Sequence, residues 1–181
     1  MTRVIAGARK GFRLATPKSP FVRPTTDRTK QVIFDVLSPY LSGSLVLDLF
    51  SGTGGLGIEA LSRGATGAIF VESDAKVMEV LIQNLHQTGF SERSEVMNLS
   101  ARAALKVLTK RGARFEVILA DPPYEGSAAQ ETLAAVAPIL KEGGWFALEH
   151  SSRRAPAEID ALFLKTRKKH GDSAISFYQH A

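Results

Sequence analysis

The feature that most restricts the fold is the stretch Leu45 to Gly57, which reads Leu-Val-Leu-Asp-Leu-Phe-Ser-Gly-Thr-Gly-Gly-Leu-Gly. A short apolar run holding one acid breaks into four glycines within six residues. That pattern predicts a buried parallel strand, a tight turn and the start of a helix, and parallel strands require crossover helices, so the chain must be α/β. The alternation continues downstream. Apolar runs at 68–71, 95–99, 115–120 and 145–148 read as strands, and the periodic segments 56–63, 75–88, 101–108 and 127–140 read as helices between them. A Gly143-Gly144 turn is expected before the strand at Trp145. Beyond His150 the pattern predicts a loop, a short helix near 157–162, and an antiparallel hairpin of Phe163–Lys169 with Ile175–Tyr178 at the sheet edge.

The glycines Gly52, Gly54 and Gly57 match the G-x-G-x-x-G spacing that holds a dinucleotide pyrophosphate on backbone N–H groups. Asp48, four residues before the first glycine, separates the cofactor classes. A carboxylate there repels a pyrophosphate and attracts the ammonium and sulfonium charges of S-adenosylmethionine. Glu72 follows the second strand, 18 residues past Gly54, near the interval at which an acid hydrogen-bonds a ribose diol. A residue just past the third strand, at Ser100-Ala101, would meet the adenine edge, because ligands of open α/β sheets lie outside the carboxyl ends of the strands.

The fourth strand runs into Asp121-Pro122-Pro123-Tyr124. Two prolines exclude helix and make a rigid extended corner. An exocyclic amine of a nucleobase is a poor nucleophile until its N–H bonds are directed to acceptors. Asp121 supplies one acceptor and the Pro122 carbonyl another, while Tyr124 offers a face on which an extruded base can stack. Asp121 can also take the proton once the nitrogen has become cationic, and most of the acceleration comes from positioning the amine in line with the methyl group.

Charge is concentrated at the front. Residues 1–30 hold eight bases against the single acid Asp27, whereas residues 31–181 hold 15 bases and 17 acids. A basic segment on a near-neutral body indicates a polyanion partner, most often nucleic acid. Residues 4–14 read as a β-hairpin, and 15–25, with Pro17, Pro20 and Pro24, as a connector. A helix should start at Thr25-Thr26-Asp27 and stop at Ser38-Pro39, with Arg28 and Lys30 in its first turn, where the helix dipole disfavours cations and so suggests a facing anion or carboxylate. Residues 1–25 are thus expected to be a basic RNA-binding extension with Arg9, Lys10, Arg13, Arg23 and Arg28 on its surface, and 26–181 the catalytic domain. There is no cysteine, hence no disulfide and no Cys-based zinc site; no metal is expected. Neither a membrane span nor a signal core is visible, and a cytoplasmic protein is expected.

Taken together, Val46 to Gly57, Glu72 and Asp121 to Tyr124 resemble a class I methyltransferase that modifies amines. Arg3 to Leu14 and Arg23-Pro-Thr-Thr-Asp-Arg28 narrow the resemblance to the RsmD family of bacterial 16S ribosomal RNA guanine-N2 methyltransferases. It covers nearly the whole chain. The resemblance implies a Rossmann-like sheet of seven strands with the last antiparallel, S-adenosylmethionine as methyl donor, and a guanine N2 in small-subunit RNA, within an assembling particle, as acceptor. It places Asp48, Phe50, Ser51, Gly52, Gly54, Glu72, Ser73, Ser100 and Ala101 around the cofactor, and Asp121, Pro122 and Tyr124 at the base. The sequence departs from the family at Ile5-Ala6-Gly7, where paired glycines are usual, and at Ser100, where an amide or acid is usual. The residues alone leave three alternatives: an N6-adenine methyltransferase, a nicotinamide-dependent oxidoreductase, and a noncatalytic RNA-binding module. Nothing in the sequence demands a dimer.

Overall fold

The computed structural model describes residues 2–17, 26–123, 127–157 and 159–180. A small antiparallel pair, β1 (Thr2–Arg3) and β2 (Arg13–Leu14), brackets a 3-10 turn at Gly7–Arg9. Helix α1 (Asp27–Leu37) follows, capped by Thr26, whose side chain accepts from the Thr29 amide. Then come β3 (Leu45–Leu49), α2 (Gly55–Ser62), β4 (Gly67–Val71), α3 (Ala75–Thr88), β5 (Ser94–Met97), α4 (Ala101–Lys110), β6 (Phe115–Ala120), α5 (Ala128–Val136), β7 (Leu140–Ser151), β8 (Leu162–His170) and β9 (Ser173–His180).

The large sheet has the order β5-β4-β3-β6-β7-β9-β8. β3 to β7 pair in parallel and β9 is antiparallel to both of its neighbours, so the last strand is the antiparallel one. Both faces are covered, which is why the strands read as nearly continuous apolar runs. Val46, Phe70, Val117 and Leu119 join α1, α2 and α3 in one core, while Leu47, Leu49, Ile118 and Ala120 join α4 and α5 in the other. No helix among the described residues is long and apolar enough to cross a membrane.

The N-terminal arm is tied down by buried polar groups. Glu59 of α2, fully buried, accepts from the amides of Ile5 and Ala6 at 2.7 and 3.0 Å and from Arg63 Nε at 2.8 Å. Val4 and Leu14 enter the core beside α1 and α2. Lys30, also fully buried, donates to the Arg3 carbonyl and stands 3.6 Å from Asp27, so this first-turn base does face a carboxylate. Burial, the largest influence, holds its pKa below the ordinary lysine value despite that partner.

Three local expectations are corrected. The helix predicted at 157–162 is absent from the described residues of that span: Ile159 bridges to Leu162, where β8 begins, and the Ala157 backbone is taken by Gln130, whose Oε1 accepts from its amide at 2.6 Å and whose Nε2 donates to its carbonyl. Too few residues remain after Pro156 to repay helix nucleation. The helix expected over 127–140 ends at Val136, and Pro138 turns its tail into 3-10 geometry at Ala137–Ile139. The Gly143-Gly144 turn lies inside β7 instead, where the register against β6 shifts between Phe115 and Val117 and Gly143 takes φ +70°.

Candidate active site

Both sequence motifs end on adjacent strands. Leu49 pairs with Val71 on one side and with Ala120 on the other, so the backbone positions of Glu72, Phe50 and Asp121 come level at the carboxyl edge. At about 4.8 Å per strand, the glycine turn stands between Glu72 and Asp121 with roughly 10 Å separating their main chains. This is the crevice outside the strand ends where open α/β sheets bind ligands.

The turn is strained and tightly bonded. Phe50, the residue that leaves β3, has φ +60°, a rare backbone for a bulky residue. Gly54 has φ +87° and serves as the N-cap of α2. A Cβ on Gly57 would lie 2.3 Å from the Phe70 ring, so helix and strand approach too closely for any other residue. Ser51 Oγ donates to the Asp48 carbonyl at 2.6 Å and accepts from the Val71 amide at 2.9 Å, locking the turn to β4.

The amides of all three motif glycines are already occupied. Gly52 donates to Glu72 Oε2 at 2.9 Å, Gly54 to the Ser51 carbonyl at 2.8 Å and Gly57 to Asp48 Oδ2 at 2.8 Å. Two of the three acceptors are carboxylates, which takes the amides of the motif glycines away from a pyrophosphate and sets negative charge where it would lie. Asp48 itself is buried beneath the turn, and desolvation, reinforced by the nearby Glu72 charge and opposed by the Gly57 hydrogen bond, pushes its pKa up to about 7. Glu72 is half-buried. Its second oxygen accepts from the Asp74 amide at 2.8 Å, and each oxygen keeps a lone pair for a ligand hydroxyl.

Ser73 is exposed beside Glu72, and its carbonyl, like that of Glu72, accepts from Asn98 Nδ2. Ser100 caps α4, accepting from the Ala103 amide. With Phe50, Ala101 and Leu105 it lines a cavity of about 910 Å³ between α4 and α5, apolar enough for a flat ring. Asp121 is half-buried and Pro122 buried; Tyr124 lies outside the described residues. Pro122 opens onto a second cavity of about 370 Å³, lined also by His150, Ser151, Arg154 and Pro156.

His150 is hydrogen-bonded at both ring nitrogens: Nδ1 donates to the Ser151 carbonyl, and Nε2 pairs at 2.8 Å with Ser176 Oγ, which also accepts from Arg167 Nε at 2.8 Å. Burial first, and then the Arg167 charge, hold its pKa below the ordinary histidine value, against the pull of the Ser151 and Arg154 backbones and Glu149.

Of the expected RNA-contacting bases, Lys10, Arg13 and Arg28 are exposed, and Arg23 lies outside the described residues. Arg9 has a structural use as well. Its Nε donates to the Thr88 carbonyl at 2.6 Å, and the guanidinium lies over the Phe90 ring. Asn84 is a junction that sequence reasoning missed. Fully buried in α3, it accepts from the Ala15 amide at 2.8 Å and donates to the carbonyls of Ala15 and Thr53, joining the arm to the glycine turn. Its signal was a polar residue on the apolar stripe Val77, Leu81, Leu85. Gln130 and Asn98 escaped too, because they act on backbone far away in sequence.

A family model described as conserved hypothetical protein 95 matches residues 2–179. The chain belongs to that family. It is the RsmD family of the sequence resemblance, and its curated members are similar over most of this chain. YlbH of Bacillus subtilis (strain 168) is 35% identical over 180 residues, 98% of each chain. Ribosomal RNA small subunit methyltransferase D of Escherichia coli (strain K12) is 37% identical over 147 residues, 81% of this chain and 70% of that one. Among solved structures, yhhF of Escherichia coli superposes with a TM-score of 0.87 at 30% identity, covering 99% of this chain and 97% of that one. The fold is that of the class I methyltransferases.

Proposed function

We propose that the chain transfers a methyl group from S-adenosylmethionine to the exocyclic N2 amine of a guanine in small-subunit ribosomal RNA. The observation that carries the cofactor class is the occupation of the Gly52, Gly54 and Gly57 amides, two of them by Asp48 and Glu72. Such a turn disfavours a phosphate and favours a cation. The residues fit the cofactor by their chemistry: Glu72 for the ribose hydroxyls, Phe50, Ser100 and Ala101 for the adenine, Ser51 and Gly52 for the methionine end, and the field of Asp48 for its positive charge. When bound, the cofactor supplies an electrophilic methyl group.

The rest is done by the corner. Asp121 and the Pro122 carbonyl accept the N–H bonds of the target amine and turn its lone pair towards the glycine turn, one strand away. Pro122 and Pro123 restrict the backbone of the corner, so the effect of the two acceptors is mainly positional. The Asp121 carboxylate then takes the proton released by the methylated nitrogen. The RNA target is supported by the relatives named ribosomal RNA small subunit methyltransferase D; guanine N2, a particle in assembly and a cytoplasmic location belong to the same reading.

The test is transfer of labelled methyl groups to small-subunit particles from cells lacking the gene, with wild type and Asp121→Ala compared and the product nucleoside identified by mass spectrometry. N2-methylguanosine from wild type alone is expected. A methyladenosine would overturn the guanine assignment, and no transfer to any nucleic acid would overturn the whole reading.

A further inference from the structure

A second basic surface lies on the opposite side of the reacting corner from the N-terminal arm. β8 reads Leu-Phe-Leu-Lys-Thr-Arg-Lys-Lys-His, with four bases and no acid. It is antiparallel to β9, which is antiparallel to β7, so β8 runs parallel to β7 and its basic end reaches the edge that carries Asp121. The pairing places each base. Lys168, Ile175 and Glu149 form one row, and Lys169, Ala174 and His150 the next. Since Ala120 pairs with Leu148, position 121 falls level with Glu149. At about 4.8 Å per strand, the Lys168 main chain stands roughly 14 Å from that of Asp121, and Lys169 roughly 10 Å from His150 in the cavity wall.

The loop after β7 bridges this interval. The Ser152 amide donates to the Asp172 carbonyl at 2.9 Å, and Arg153, highly exposed, stands 3.5 Å from the Asp172 carboxylate. Lys168 and Lys169 are exposed and have no acidic partner among the described residues. Lysines on an edge strand also guard against strand addition. That role alone does not account for their placement: the bases crowd into the last part of β8, nearest the site, while Phe163 at the other end is left 56% exposed.

We infer that Lys168 and Lys169, with Arg153, bind the RNA sugar-phosphate backbone beside the target nucleotide, so that the RNA is gripped on both sides of Asp121. This rests on the reading of the substrate as RNA. The test is the KM for small-subunit particles lacking the modification, measured across a salt series, for wild type, Lys168→Glu/Lys169→Glu, and Arg111→Glu/Arg114→Glu. The last pair makes the same charge change at the amino end of the sheet, where α4 ends and β6 begins. The β8 variant should raise KM about tenfold and lower the slope of log KM against log salt by roughly 1 to 2. Its affinity for S-adenosylmethionine and its kcat should not move, and the distant pair should behave as wild type. Equal KM and slope in the β8 variant, or an equal loss in both variants, would overturn the inference while leaving the function intact. Absence of transfer by wild type would instead remove the reading on which it stands.

Discussion

Asp48→Asn should remove the fall in stability that the buried Asp48 carboxyl contributes between pH 4 and 7. The Asp48 carboxyl is 1% exposed and binds its proton with a pKa of about 7, against 3.8 for the unperturbed group. The folded chain therefore holds that proton on the order of a thousandfold more tightly than the unfolded chain does. A raised carboxyl pKa means that stability is greatest below the unfolded value, falls as pH climbs, and levels off above the folded one. The fall amounts to about 4 kcal/mol over the full window, and to about 3 kcal/mol between pH 4.5 and 7.5. Asparagine keeps an oxygen for the Gly57 amide and carries no charge, so any cost of the substitution itself is the same at every pH. Urea unfolding followed by the fluorescence of Trp145, the single tryptophan and a buried one, reads the difference. The gap between variant and wild type should shift by about 3 kcal/mol in favour of the variant over that range. Parallel stabilities, shifting by less than about 1 kcal/mol, would refute the account of Asp48 as an acid that burial keeps protonated up to about pH 7. The same ionisation should tighten S-adenosylmethionine binding as pH rises through 7 in wild type and not in the variant.

Other substitutions probe the rest of the site. Glu59→Ala strands two arm amides and the Arg63 guanidinium, and should lower the unfolding free energy by about 3–5 kcal/mol in denaturant titrations. Asp121→Ala should reduce kcat by about 10² to 10⁴ with cofactor affinity unchanged by calorimetry; Asp121→Asn, which retains an acceptor oxygen, should lose less. Lys10→Ala/Arg13→Ala should weaken RNA binding and flatten its salt dependence in filter assays without altering cofactor affinity, since neither base has a protein partner among the described residues. Gln130→Ala frees Ala157 beside the Pro122 cavity and should raise the KM for RNA while costing about 1 kcal/mol of stability or less by thermal melting.

Period and punctuation made the sheet and its helices legible, because strands buried on two faces announce themselves as apolar runs and the glycine turn and proline corner each admit few backbones. The row Glu72, Phe50, Asp121 was implicit in that reading, since neighbouring parallel strands bring their ends level. What local patterns could not carry was side chain reaching distant backbone: Asn84 to Ala15 spans 69 residues, and Gln130 to Ala157 spans 27. The helix expected at 157–162 failed for the same reason, its composition being overruled by a contact from α5. Asp48 illustrates a subtler point. Its place before the glycines gave no sign of its backbone partner: strand alternation sends it to the face of α2, where its carboxyl accepts from the Gly57 amide.

The strand order β7-β9-β8 sets a problem of timing. During synthesis β8 appears before β9, yet among the described residues the strand it pairs with in the finished sheet is β9. Until β9 emerges, the open edge of β7 and the whole of β8 face each other without their spacer, and any pairing between them would have to be undone. The two-residue turn at Gly171-Asp172 lets the hairpin close within microseconds once β9 is available. The β7 edge of the sheet is therefore covered only once β9 has been made.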